Sequence, residues 1–186
     1  QVLITHEHDD HFDPDGLKRI GHLSPTFIAP ESCHEALRRI GLPDDSIVKA
    51  RYGERHDLGA YSVTVVPAAH SSGSCGYLIE TRHGNIYHPG DGRFDHPDKA
   101  ANLSLEVEYL LLPINDTNMG VGFAAQFAHL LQPKVVIPCH YGYTYPAVRW
   151  MGGHPAEFVT TLASRNYKMP FTDIMILSPG GKIVLP

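Results

Sequence analysis

A chain of 186 residues in which 42% are hydrophobic has enough apolar surface for one domain with a true core. Its 15 Lys+Arg stand against 20 Asp+Glu, a formal charge of -5, and no basic block runs along it. That balance disfavours tracking of a phosphate backbone, so nucleic acid is not an expected partner. Cys33, Cys75 and Cys139 are too few and too scattered for a disulfide framework. No apolar stretch of about eighteen residues reads as a membrane span, and the expectation is a soluble, cytoplasmic protein with a small-molecule substrate and no membrane partner.

Val2-Leu3-Ile4-Thr5 opens the chain as an apolar, β-branched run, the pattern of a buried strand. It leads directly into His6-Glu7-His8-Asp9-Asp10-His11. A strand entering a tight polar turn splays alternate side chains toward one point. His6 and His8 can then face one metal ion while Asp10 and His11 face a second. Neutral imidazole and carboxylate suit zinc, manganese or iron, and nothing here is soft enough to demand copper. The competing reading is a solvated turn that happens to be rich in histidine. Gln1 stands at the edge of this strand with no earlier element, whereas so apolar a strand needs neighbours and a layer on each face. The chain is therefore read as the C-terminal portion of a longer protein, with the missing N-terminal segment as a partner of that edge and a homo-oligomer as a further expectation.

Beyond the histidine cluster, Asp13-Pro14-Asp15-Gly16 is a helix-start signal, with a helix expected over Leu17 to Leu23. Thr26 to Ala29 reads as a strand, Glu31 to Ile40 as a helix closed by Gly41, and Ser46 to Ala50 as a short strand. Tyr61 to Pro67 alternates with period two and ends beside His70. Cys75 to Thr81 and Asn85 to His88 form an expected hairpin, and Leu103 to Glu106 a short helix or turn. Tyr109 to Leu112 is a buried strand, Gly122 to Leu131 a helix, Val135 to Pro138 a strand ending at Cys139-His140, and Pro155 to Ser164 a helix. Ile174 to Leu177 and Lys182 to Leu185 are read as a closing strand pair. Without repeats or linkers, residues 1–186 read as a single domain of α/β (α+β layered) architecture.

One regularity carries the chemistry. His70, Asp91 and His140 each lie just past an apolar strand, in Val65-Val66-Pro67-Ala68-Ala69-His70, Ile86-Tyr87-His88-Pro89-Gly90-Asp91 and Val135-Val136-Ile137-Pro138-Cys139-His140. Strand ends in layered α/β folds converge on one rim, where ligand sites form. His6, His8, Asp10, His11, His70, Asp91 and His140 then supply seven donors, enough for two divalent ions (Zn2+ or Mn2+, with Fe2+ also suited) with one carboxylate between them. His88 is left between a supporting role at the site and a satisfied core histidine.

This order of His-x-His-x-Asp-His, a lone His after a strand, Gly-Asp and a late Pro-x-His resembles the metallo-β-lactamase superfamily. Leu112-Pro113-Ile114-Asn115, Asn118-Met119-Gly120 and the run through Cys139-His140-Tyr141 are similar to its ascorbate-6-phosphate-lactonase-like branch. The resemblance implies a four-layer αββα sandwich, here lacking its N-terminal strands. It also implies that His6, His8 and His70 hold one metal, Asp10, His11 and His140 the other, with Asp91 bridging. The activity it implies is a metal-dependent hydrolase, lactonase-like, in which a metal-bridged hydroxide attacks a small anionic lactone or ester such as a sugar-phosphate lactone. Asp10 is the candidate catalytic residue that orients the nucleophile and moves its proton. Arg93, Asn118, Tyr141 and Tyr143 are the candidate substrate contacts. One departure from the pattern is Gly92, where relatives often carry Thr or Ser. The alternatives are a phosphodiesterase or ribonuclease of the same superfamily, which would need a basic exosite, and a non-catalytic metal-binding protein.

Overall fold

The computed structural model describes residues 1–93, 106–142, 151–178, 180–182 and 184. Two sheets lie face to face. The smaller is all parallel and contains β1 (Val2–Leu3), β2 (Phe27–Ala29) and β3 (Ile47–Lys49) in the order β1-β2-β3. The larger contains β4 (Arg55–Asp57), β5 (Tyr61–Pro67), β6 (Cys75–Thr81), β7 (Gly84–His88), β8 (Tyr109–Pro113), β9 (Val135–Cys139) and β10 (Asp173–Ile174). Its order is β10-β9-β8-β7-β6-β5-β4, antiparallel from β4 to β7 and parallel from β7 to β10.

Side-chain alternation decides what each sheet face meets. On β5 and β6, Val63, Val65, Cys75 and Tyr77 point to the small sheet and pack with Ile28 of β2. Val66 and Leu78 point the other way, with Tyr87, Leu110, Leu112 and Val136, onto the helices α3 (Gly120–Leu131) and α4 (Pro155–Ser164). The outer face of the small sheet is covered by α1 (Pro14–Ile20) and α2 (Glu31–Arg39) through Phe27, Leu17, Cys33 and Leu37. The result is the expected four-layer αββα sandwich. Among the described residues no helix is long and apolar enough to cross a membrane.

Several boundaries differ from those expected. Asp13 caps α1 through its carboxylate and Pro14 occupies the first turn, so that helix starts three residues early and ends in a 3-10 turn over Gly21–Leu23. Arg55–Asp57 is an edge strand that the sequence hides, because an Arg-His-Asp triplet carries no apolar alternation. α3 begins at Gly120, whose φ of 62° suits glycine. The closing strand pair is absent among the described residues: Asp173–Ile174 instead adds to β9 in parallel, and Lys182 and Val184 lie outside any strand. Residues 103–105 and two of the four residues from Lys182 to Leu185 lie outside the described residues.

Candidate metal centre

Because β5 and β7 both run opposite to β6, and β8 and β9 run parallel to β7, the C-terminal ends of these four strands open on one rim. The small sheet is held to that rim by Cys75, whose amide donates to Thr5 O at 2.9 Å, and by Tyr77. Tyr77 Oη lies 2.7 Å from Ile4 O and 2.9 Å from Ile28 O, so its single proton is offered to two carbonyls of the opposite sheet. The histidine turn therefore meets the loops carrying His70, Asp91 and His140.

Local backbone chemistry aims each donor. His8 O accepts from the amides of His11 and Phe12, both at 2.8 Å, which closes the turn and brings His11 back toward His6. Their rings stand 4.2 Å apart between centroids. At the end of β7, the Gly90 amide donates to His88 Nδ1 at 3.0 Å. Gly90 has φ 60°, and a Cβ there would lie 3.0 Å from Cys75 O and 3.1 Å from Thr5 Cβ, so only glycine lets Asp91 enter the seam between the sheets. His140 itself is left-handed, with φ 51°, an uncommon conformation for a residue with a side chain and one that gathers at functional sites.

The donors converge in three overlapping groups: His6, His8 and His70; His6, His11 and Asp91; Asp10, His11 and His140. Within each group the ligand atoms lie within 4.8 Å of one another. His8 Nδ1 and His70 Nε2 are 3.1 Å apart, as are His11 Nε2 and His140 Nε2, and His140 Nε2 and Asp10 Oδ2. Asp91 faces both sides. Its Oδ1 is 3.1 Å from His11 Nε2, and its Oδ2 is 3.4 Å from His140, 3.8 Å from His70 and 4.0 Å from His6.

These donors fit a cation. Two nitrogens bound tetrahedrally to one zinc-like ion at about 2.05 Å are necessarily about 3.3 Å apart, the spacing seen here. His6 supplies a sharper observation: the residue is fully buried, Thr5 Oγ1 engages Nδ1 at 3.0 Å, and Nε2 is left buried with no hydrogen-bond partner, facing the cluster. A buried lone pair without a donor is costly unless something electropositive meets it. Burial, then the charge of His11, holds the His6 imidazole down to about 4, in the neutral form a metal requires. Burial also lowers His70. For Asp91, burial opposes ionisation, but the hydrogen bond and charge of His11 outweigh it and hold the carboxyl well below the usual range. His11 moves upward for the reciprocal reason, with burial again opposing.

A family model described as a beta-lactamase superfamily domain matches residues 1–141. A UPF0173 metal-dependent hydrolase of Pyrobaculum neutrophilum is 33% identical over 99% of this chain and 80% of its own length. This chain belongs to that superfamily, among its UPF0173 metal-dependent hydrolases. Another such hydrolase, from Methanopyrus kandleri, is 28% identical over 96% of this chain and 79% of its own length. Among solved structures, Igni18, a metallo hydrolase of Ignicoccus hospitalis, superposes with a TM-score of 0.75 at 27% identity, covering 98% of this chain and 77% of that one.

Around the donors of this UPF0173 chain, the remaining expected site residues are spread unevenly. Asn118 lies beside Asp91: its amide is among the groups that hold that carboxyl down, while its Nδ2 is buried outside hydrogen-bond geometry with any group. Arg93 is exposed at the rim, tied by its amide to Ala69 O at 2.7 Å, and its charge reaches His70. Tyr141 packs against the large core and donates its hydroxyl to Leu177 O at 3.3 Å. Tyr143 lies outside the described residues. His88 is engaged by the Gly90 amide, which makes it a support for the Asp91 turn. His154 accepts from the Ala156 amide as the cap of α4, and His34 contacts Ala29 O inside the core, as residues outside the site should. Sequence reasoning missed Thr5 and Glu7. A cleft of about 670 Å³ opens on the Asp10 side, lined by Asp9, Asp10, Phe12, Asp13, Asp15 and Arg19 among others.

Proposed function

We propose that this UPF0173 hydrolase binds two divalent ions, Zn2+ or Mn2+ with Fe2+ also suited, and opens a small anionic lactone or ester. The observation that carries the reading is Asp91, whose carboxylate lies within 4.0 Å of imidazoles from both groups, His11 and His140 from one and His70 and His6 from the other, as expected of a carboxylate between two ions. His6, His8 and His70 would hold one ion and Asp10, His11 and His140 the other. When bound, such ions lower the pKa of a water molecule and polarise the carbonyl under attack. Asp10, exposed and with one oxygen 3.1 Å from His140, has its second oxygen available to accept the proton of the attacking water. The water oxygen bonds to the carbonyl carbon, the ring C–O bond breaks, and the proton passes from Asp10 to the leaving oxygen to give a hydroxy acid. The Asp10 side of the site is acidic, so the anionic group of the substrate belongs on the Arg93 side.

Metal content by elemental analysis, together with hydrolysis of a phosphorylated lactone, its neutral analogue and bis-nitrophenyl phosphate, tests this reading. Two ions per chain and faster opening of the anionic lactone are expected, with Arg93→Ala raising KM for that lactone alone. Turnover of the phosphodiester alone would move the protein to the phosphodiesterase reading. Bound metal without turnover of any of the three would make it a binding protein.

A further inference from the structure

Glu7 stands between two of the donors yet contributes to none of the donor groups. Alternation along the chain sends its side chain to the side opposite His6 and His8. There Ser32 Oγ, in the first turn of α2, donates to Glu7 Oε2 at 3.0 Å. The positive end of α2 and its hydroxyl together favour an anion at this place. Ser71, the residue after His70, brings a second hydroxyl: its Oγ is buried without a hydrogen bond of its own and bears on the Glu7 carboxylate. The loop beyond it rests on the same helix start, since a Cβ on Gly73 would lie 4.0 Å from Ser32 Oγ.

We propose that Glu7 is a positioning residue, a carboxylate strut that ties the His6–His8 turn, the start of α2 and the His70 loop into one unit and so fixes the His6/His8/His70 donor group. His8 and His70 come from segments 62 positions apart and must hold their nitrogens 3.1 Å from each other, which neither loop enforces alone. Glu7 belongs to the first of these segments, is bonded to Ser32 at the start of α2, and has the Ser71 hydroxyl of the second segment facing its carboxylate. Among the described residues no side-chain hydrogen bond joins the Glu7 carboxylate to Asp10, His11 or His140. The strut therefore acts on one donor group selectively. Groups that orient ligands from behind typically change metal affinity by about 10–100-fold.

This inference rests on the two-ion reading, and its test separates the two. Co2+ is titrated into the metal-free full-length protein against a chelator, following the absorption of the bound ion, for wild type, Glu7→Ala, Glu7→Gln and His140→Ala. Unfolding of each metal-free protein is recorded alongside. Glu7→Ala should weaken one ion by about 10–100-fold and leave the other within about threefold, with little change in metal-free Tm. Combined with His140→Ala, which keeps only the His6/His8/His70 group, it should weaken the single remaining ion by the same factor. Glu7→Gln retains an acceptor for Ser32 and should recover most of the affinity. Unchanged affinities in Glu7→Ala would overturn the proposal, as would equal weakening of both ions with a fall in metal-free Tm. Uptake of a single ion by wild type would overturn the two-ion reading itself, and the strut's selectivity with it.

Discussion

Tyr77→Phe isolates one bond at the seam between the sheets. The ring is 1% exposed and stays in place on substitution, so no cavity opens. What is lost is the hydroxyl 2.7 Å from Ile4 O and 2.9 Å from Ile28 O. Ile28 O keeps the Ile4 amide at 3.0 Å, but Ile4 O is left with Cys75 Sγ at 3.9 Å, a weak donor. One buried carbonyl is orphaned, a cost of about 1–3 kcal/mol. For a chain of this length each kcal/mol shifts Tm by about 2–4 °C, so a fall of about 2–12 °C is expected. Tyr61→Phe is the control, because Tyr61 Oη bonds only to Gln1 at an exposed position and should cost under about 1 kcal/mol. Circular dichroism melts of the metal-free proteins measure both. If Tyr77→Phe melts with wild type, or no lower than Tyr61→Phe, the hydroxyl does not hold the sheets together.

His140→Ala should lose one bound ion by elemental analysis and at least about 100-fold in turnover; full turnover would remove His140 from the centre. His6 has an imidazole held down to about 4, chiefly by burial and next by the charge of His11. The unfolded chain takes up that proton below about pH 6.5 and the folded chain only near 4, so the metal-free fold loses stability as pH falls through this window. Urea unfolding at pH 7 and pH 4.5 should show a loss about 2–3 kcal/mol larger in wild type than in His6→Gln, and equal losses would refute it. Gly153→Ala would place a Cβ 2.3 Å from Ile114 O at a φ of 69°, whereas Gly41→Ala, at 89°, meets nothing within 4 Å. Denaturant titration should find the first more costly than about 3 kcal/mol and the second near 1–2, and similar values would deny the close packing of the Gly153 loop on Ile114.

The convergence of the seven candidate donors was legible because each follows an apolar strand, and strand ends of like direction share a rim. Tyr61–Pro67 and Cys75–Thr81 were readable to the residue, since alternating apolar side chains meet a core on both faces. Arg55–Asp57 was not, because an edge strand is held by backbone bonds to one neighbour and needs no apolar face. The Asp173–Ile174 strand was misread as half of a hairpin: its apolar run gives a strand but not its partner, and β9 lies 38 positions back in parallel register. Glu7 gave one local signal, its placement opposite His6 and His8, while Ser32 and Ser71 are ordinary hydroxyls whose relevance depends on tertiary approach. His88 was left between a supporting role and a core histidine, and the Pro-Gly turn after it, which needs an acceptor for the Gly90 amide, was the signal that could have decided it.

The donors come from four stretches of the chain, and Asp10 and His140 are 130 positions apart. A cation held between them would act as a reversible staple, closing a loop that the unfolded chain has no means of closing. Its affinity then measures more than the donors: a ligand at 1,000 times its Kd adds about 4 kcal/mol to the folded state, and any loosening of the seam subtracts from the same sum. Metal uptake is for that reason a gauge of how well the two sheets are docked. Substitutions deep in the sandwich, such as Tyr77→Phe, should register as weaker metal binding without touching a ligand.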